Sequence, residues 1–273
     1  GHDLYVAIND DTPDAVMTAA TEYPDEKFTV IDAEIDLSDG KYPTAVSYQG
    51  KQTAGAFLTG HMASILTTSG VDGTNPENLV GFEAGVENTA IKDFLIGYIE
   101  GVNYVDSEVE VLDSFIGDWT NTAKAKELGY AQFQQGADVS YSVAGNAGLG
   151  NAEAALESKH WNLNVDQDWS TVIAESNPAL AEVIIASSAK DYVNIIGDVV
   201  KEFSNGTLEF GKHNLVGWSD NAITMYYNDK FSELFTDEMM AQYQQVCDDL
   251  AAGKIDVGTS IGATQAEIDS YKE

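Results

Sequence analysis

The chain has 273 residues, 44% hydrophobic and 10% aromatic, enough for one large core or two ordinary ones and too apolar for disorder. Its 45 acidic residues against 13 basic ones give a formal net charge of −32, which excludes a nucleic-acid footprint and repels an anionic membrane surface. No run approaches the roughly 18 consecutive apolar residues of a membrane helix.

Residues 4–8 read as a strand, and Thr12-Pro13-Asp14 supplies an N-cap, a first-turn proline and an early acid for a helix to about residue 22. Residues 28–31 form the next strand. Over 53–69, Phe57, Leu58, Met62, Ile65 and Leu66 fall on one helical face, and Gly70 closes the helix. Residues 79–82 are a third strand; Asn88 then caps a helix with the buried stripe Ile91, Phe94, Leu95, Tyr98, Ile99 and Val102. Near residue 105 the pattern restarts, with strands at 109–112, 138–144 and 162–165 between helices at 122–135 and 152–157. A strand-like run at 182–186 leads into a long helix over 190–203, closed by Asn205-Gly206. After 215–218, Thr236-Asp237-Glu238 opens a final helix that stops at Gly253. Its stripe Met240, Tyr243, Val246, Cys247 and Leu250 makes the lone cysteine a buried apolar residue. One cysteine allows no intrachain disulfide and no thiolate metal cluster.

Strands alternating with amphipathic helices predict parallel α/β architecture, and two successive sets predict two Rossmann-like lobes with a central ligand cleft. The expected division is 1–104 plus 190–210 for the first lobe and 105–189 plus 211–250 for the second, with 251–273 assigned to neither. In such sheets ligands sit outside the carboxyl ends of the strands.

Four of those ends carry unusual residues. The strand at 109–112 runs into a loop containing Trp119, which either stacks on a flat ligand ring or packs on its own domain; Asn121 reads as a helix cap. The strand at 138–144 ends in Gly145-Asn146-Ala147-Gly148-Leu149-Gly150, spaced G-x-x-G-x-G and not as the dinucleotide fingerprint. Such a turn lets a ligand approach backbone amides closely, and a plain tight turn is the alternative. The strand at 162–165 ends in Asp166-Gln167-Asp168, carboxylates able to accept from paired sugar hydroxyls or to cap a helix; no third ligand suggests a metal. Lys190 at the expected start of the long helix opposes the helix dipole, which hints at a specific partner unless it simply reaches into solvent.

All 13 basic residues are lysines. A carboxylate or phosphate is usually gripped by arginine's bidentate fork, so a neutral, hydroxylated or ring-containing ligand is expected. His2, His61, His160 and His213 stand apart from acids and nucleophiles in sequence, and no catalytic constellation assembles. The chain is expected not to be an enzyme and to need no cofactor or metal.

Taken in order, these junctions resemble the basic membrane protein family of ABC transporter substrate-binding lipoproteins. Asp3-Leu4-Tyr5-Val6 through Tyr23-Pro24-Asp25, Phe28, Ile31 and Asp32 match its "DLIV…A…YPD..F.IID". Gly55-Ala56-Phe57-Leu58-Thr59-Gly60 match "GsFLaG"; Phe94, Gly97, Tyr98 and Gly101 match "F..Gy.aG". Residues 123–128 and 135–139, then Ala144-Gly145, Gly148-Leu149-Gly150, Val165-Asp166 and Asp168, continue the series. The resemblance implies a type I periplasmic-binding-protein-like fold clasping a nucleoside, with Asp166 on the ribose, Lys190 at the cleft, Trp119 against the base and the 145–150 loop beside it. It also implies an ABC permease as partner and an extracytoplasmic place, periplasmic or at the cell surface, as a membrane-anchored lipoprotein; a monomer is expected. Departures are visible. The family's first β-α unit with "DkSFN" has no counterpart before Gly1, its acid before "GsFLaG" is Ala54, and the paired glycines after "GfV" are Ala84-Gly85. The glutamine of "DsDQ" is Trp169, and Asn164 replaces the glycine before Val165. Riboflavin or another ring-containing ligand, a sensor or surface antigen on the same fold, and a nucleotide-dependent enzyme are the alternatives.

Overall fold

The structure, a computed structural model, describes residues 1–271 apart from 10, 261 and 262. In chain order it runs β1 (Tyr5–Ile8), α1 (Pro13–Glu22), β2 (Phe28–Ile31), β3 (Ala45–Gly50), α2 (Gln52–Ser69), β4 (Leu79–Ala84), α3 (Thr89–Val105), β5 (Glu110–Phe115) and α4 (Thr122–Gln134). It continues through β6 (Ala137–Val143), a 3-10 turn (Gly145–Ala147), α5 (Gly148–Ser158), β7 (Trp161–Val165), α6 (Trp169–Ile173), α7 (Pro178–Val183), β8 (Ile184–Lys190) and α8 (Tyr192–Asn205). Last come β9 (His213–Val216), β10 (Ile223–Tyr227), α9 (Asp229–Leu234), α10 (Asp237–Ala251) and α11 (Gln265–Ser270).

The chain divides into two compact units, Gly1–Lys51 with Lys190–Ile223, and Gln52–Ala189 with Thr224–Glu273. The expected division near residue 105 is not the one the contacts draw. Residues 52–104 group with the second unit because α2 and α3 pack closely on each other and on its sheet. Residues 211–223 group with the first, since β9 pairs with β3 in parallel. The segment after 251 belongs to the second unit, where Glu100 accepts the Gly258 amide and Asp93 accepts Thr259 and Ser260.

The first unit holds a four-stranded sheet in the order β1-β2-β3-β9, all parallel. Phe28 and Val30 of β2 meet Val16 and Ala20 of α1, while Ile31, Val46 and Tyr48 meet Ile195 and Val199 of α8. Strand β3 has no counterpart in the sequence reading, because Ser47 and Gln49 break its apolar run. Ser47 is nonetheless fully buried, its hydroxyl accepting the Ile35 amide at 3.2 Å and meeting His213 Nδ1 at 2.9 Å.

The second unit is built on the order β10-β8-β7-β6-β4-β5, with β4 to β8 parallel. Strand β10, also unforeseen, runs antiparallel to β8, as the bonds Asp191 N to Ala222 O and Asn228 N to Ile185 O show. One face of the sheet is sealed by α2 and α3, with Tyr98 stacked on Tyr141 and Phe82 set at an angle to both. The expected strand over 182–186 is split: Asn177 and Pro178 start α7, and β8 begins only at Ile184. In α10 the buried stripe is Met239, Tyr243, Val246, Cys247 and Leu250, so Met239 takes the place expected of Met240.

Candidate ligand edge

Every parallel strand of the second unit delivers its carboxyl end to the same edge of the sheet. Strand β4 ends at Ala84, and Gly85 follows. The Gly85 carbonyl accepts the Gly117 amide at 2.6 Å and the Asp118 amide at 3.1 Å, so the loop after β5 is fastened to β4. Asp118 Oδ1 then takes the Thr120 amide, the Thr120 hydroxyl and the Asn121 amide, a turn that fixes the residue between them. That residue is Trp119. A Cβ on Gly85 would lie 2.3 Å from the indole, so the ring covers the glycine backbone on one side. It remains 41% exposed on the other. Trp119 therefore packs on its own unit, as one of the two readings has it, and part of its surface stays open to solvent. Asn121 caps α4 through the Lys124 amide, as its sequence position suggests.

The turn after β6 is tied to this loop by the Ala147 amide, which donates to Trp119 O at 3.0 Å. Gly145 has φ +53, a left-handed conformation that favours glycine, and Asn146 beside it is exposed. Gly148 opens α5 above Ser142, where a Cβ would stand 3.1 Å from the Ser142 Cβ. The N-cap, Ala147, has no side chain able to accept from the helix, so no side-chain cap occupies the first amides of α5. Gly150 serves packing instead, since a Cβ there would meet Thr122 O at 2.0 Å.

Asp166 follows β7 with φ +77, its amide donating to Ser188 O of β8 at 2.8 Å and its side chain exposed. Beneath it the Tyr141 hydroxyl meets Ser188 Oγ at 2.7 Å. Burial, with the charge of Asp166 adding to it, pushes the Tyr141 phenol far above its ordinary range, so it stays neutral. Asp168 is differently employed. It caps α6, taking the Thr171 amide at 3.1 Å and the hydroxyls of Ser170 and Thr171 at 2.7 and 2.6 Å. Partial burial opposes ionisation, yet these bonds hold its carboxyl below the ordinary value. Trp169 is buried and donates to Val165 O, a structural role.

Lys190 sits elsewhere than expected. It ends β8 instead of starting a helix, because Asp191 caps the Asn194 amide and α8 begins at Tyr192. It lies in the first unit, along Gly50, where a Cβ would come within 3.1 Å of its side chain. Its ammonium pairs with Asp32 Oδ2 at 2.7 Å, each side chain 16% exposed, and the Tyr192 hydroxyl donates to the same oxygen at 2.8 Å. Asp32 stands at the carboxyl end of β2 with φ +66. Neither Asp32 nor Tyr192 stands out as a site residue from sequence alone, although Asp32 ends a strand as Asp166 does. Thus Trp119, Gly145, Asn146, Gly148 and Asp166 share one edge of the second unit, Asp168 is drawn into a cap, and Lys190 belongs to the corresponding edge of the first.

Among the described residues no group of histidine, cysteine and acidic side chains is placed to hold a metal ion, and no helix is long and apolar enough to cross a membrane. His61 is buried in α2, and burial lowers it to about 4, so it is neutral at physiological pH.

Known proteins resemble the chain throughout. The Bmp family model, described as "ABC transporter substrate-binding protein PnrA-like", matches residues 1–257. Basic membrane protein A of Borreliella burgdorferi is 27% identical over 84% of this chain and 64% of its own length. The ABC transporter nucleoside-binding protein BmpA of Lactococcus lactis is 26% identical over 77% of this chain and 60% of its own. The chain thus spans under two thirds of the length of these curated relatives. Among solved structures, an ABC transporter solute-binding protein from Aeropyrum pernix superposes with a TM-score of 0.75 at 20% identity, covering 99% of this chain and 82% of that one. One from Conexibacter woesei gives 0.74 at 17% identity, covering 95% and 80%.

Proposed function

Because the chain belongs to the Bmp family of PnrA-like ABC transporter substrate-binding proteins, we propose that it captures a neutral, nucleoside-like ligand at the carboxyl edge of its second unit and delivers it to a membrane permease. The family is one of solute-binding proteins and not of enzymes. The observation that carries the reading is the half-exposed Trp119 ring, seated on Gly85 at the same sheet edge as the exposed carboxylate of Asp166. The open indole face would take a nucleobase, and stacking of this kind contributes roughly 1–3 kcal/mol. Asp166 would accept two adjacent ribose hydroxyls. A nucleoside-binding relative from Lactococcus lactis favours this ligand class over other ring systems. Lys190, held by Asp32, contributes a fixed ammonium within a neutral ion pair to the first unit.

Extracytoplasmic placement follows from the family, and we propose a lipid anchor and a monomeric state for the whole protein. Isothermal titration with guanosine, inosine, adenosine and riboflavin tests the assignment. Binding of a nucleoside, lost in Trp119→Ala and in Asp166→Ala, is expected. Heat with riboflavin alone would redirect the ligand class, and no heat with any of the four would remove it.

A further inference from the structure

Glu83 is the unexplained group of the second unit. It lies in the middle of β4, two residues before Gly85, with no solvent exposure, and neither carboxyl oxygen has a hydrogen-bond partner of ordinary geometry. The buried acids Asp93 and Asp138 of this unit are better served: Asp93 accepts Thr259 and Ser260, and Asp138 accepts the Asn75 amide. In the family pattern "GfV" that precedes the two glycines, position 83 is the valine. A carboxyl in place of an isopropyl group in a dry interior is costly unless it stays protonated.

Its surroundings connect it to the ligand edge. In register Glu83 stands beside Ser114 of β5 and Ser142 of β6. Ser142 lies under Gly148, and Ser114 receives Gln132 from α4. From the helices it is approached by Asn151 of α5 and the backbone at Gly129 of α4. No charged group faces it from these elements among the described residues. The nearby charges of α4 and α5, Lys126 with Glu153 and Glu157 and Lys124 with Glu127, pair on the outer helix surfaces. Burial pushes the carboxyl up to about 8, with Asn151 and Gly129 pulling weakly the other way.

We propose that Glu83, packed as the neutral acid, leaves the Trp119 and Gly145–Gly148 loops in place, and that its ionisation loosens both loops and releases ligand. The connection is mechanical. An anion at position 83 must draw in water or donors, and the elements that can yield are the start of α5 and the end of β4, which carry the two loops. Such a protein would bind at neutral pH and let go in alkaline surroundings.

The proposal rests on the ligand edge described above, but its test uses ligand-free protein and so can fail separately. Amide hydrogen exchange of peptides covering 117–121 and 144–150, corrected for the intrinsic pH dependence of exchange, is compared at pH 6.5 and pH 9 in the wild type, Glu83→Gln and Glu83→Val. Wild-type protection is expected to fall by up to about tenfold per pH unit as the pH rises toward the titration of the carboxyl and to level off above it, while both variants keep their protection and residues 5–8 of the first unit do not respond. The idea is overturned by unchanged wild-type protection, or by equal loss in either folded variant. If Glu83→Gln fails to fold, Glu83→Val, with the family's own side chain, supplies the comparison.

Discussion

Gly85 sets what Trp119 can do. The indole lies where a side chain at position 85 would be, so the ring can be flat against the backbone and open on its other face. Gly85→Ala places a methyl carbon 2.3 Å from the ring and must push it off. Nucleoside affinity is expected to drop by about as much as in Trp119→Ala, roughly 1–3 kcal/mol, with little change in melting temperature; calorimetry beside thermal unfolding separates the two. An unchanged affinity would detach Trp119 from the ligand. Glu83 gives a stability counterpart. Its folded pKa, about 8, is raised above the unfolded value, so the native state binds the proton more tightly. The sign follows: its contribution favours folding below the unfolded pKa and is lost as pH climbs through 4.5 toward 8. Glu83→Val removes that loss and is expected to be more stable than wild type by roughly 3 kcal/mol at pH 7, from about 1.4 kcal/mol per pH unit. Urea unfolding at pH 5 and pH 7 reads the difference. A gap that does not widen between the two pH values would show that position 83 does not titrate in this window.

At the scale of elements, the glycines that match "GsFLaG" and "F..Gy.aG" have a packing reason. Side chains on Gly60, Gly97 and Gly101 would strike Tyr98 O at 2.1 Å, Thr53 O at 2.5 Å and Phe57 O at 2.0 Å. Helices α2 and α3 therefore touch backbone to backbone, which draws both onto the sheet. Gly101→Ala forces them apart at a contact with no flexible atom to yield, and overpacking of this kind costs roughly 1–3 kcal/mol. Chemical denaturation should show that loss with ligand affinity preserved in the folded fraction; a neutral substitution would mean that the helices slide freely. These helices are plain in the sequence because apolar spacing and caps coincide, as at Asn88, which accepts the Ile91 amide. Strand β3 is hidden because two-sided burial there relies on Ser47 and its distant partner His213, a pairing that no local pattern records. Lys190 falls one element away from its expected place because the signal that matters is the cap at Asp191, next along the chain. The site is legible where strand ends carry special residues, and illegible where a side chain is claimed by a partner far away, as Lys190 is by Asp32.

For the molecule as a whole, two sets of alternating strands and helices foretell two α/β units, while the boundary between them lies in contacts that sequence order does not reveal. Residues 190–223 join the first unit only because β9 finds β3 and α8 finds β2. Charge is the property that acts on both units at once. A net −32 on 273 residues, with every cation a lysine, means that each exposed carboxylate has far more like than unlike neighbours. The ion pairs between described residues are mostly short-range and solvent-exposed, such as Lys124–Glu127 and Lys212–Glu209, and contribute little against that field. Folding concentrates the repulsion, so screening must favour the native state. Raising sodium chloride from about 0.05 M to 1 M shortens the Debye length to roughly 3 Å and is expected to lift the melting temperature by about 2–10 °C, from a gain of roughly 1–3 kcal/mol. Most of the rise should come below about 0.5 M, where exposed charges are already decoupled. A linear climb that continues past 1 M would instead point to salt exclusion from apolar surface. A melting temperature indifferent to salt would mean that the acidic surface carries no net strain.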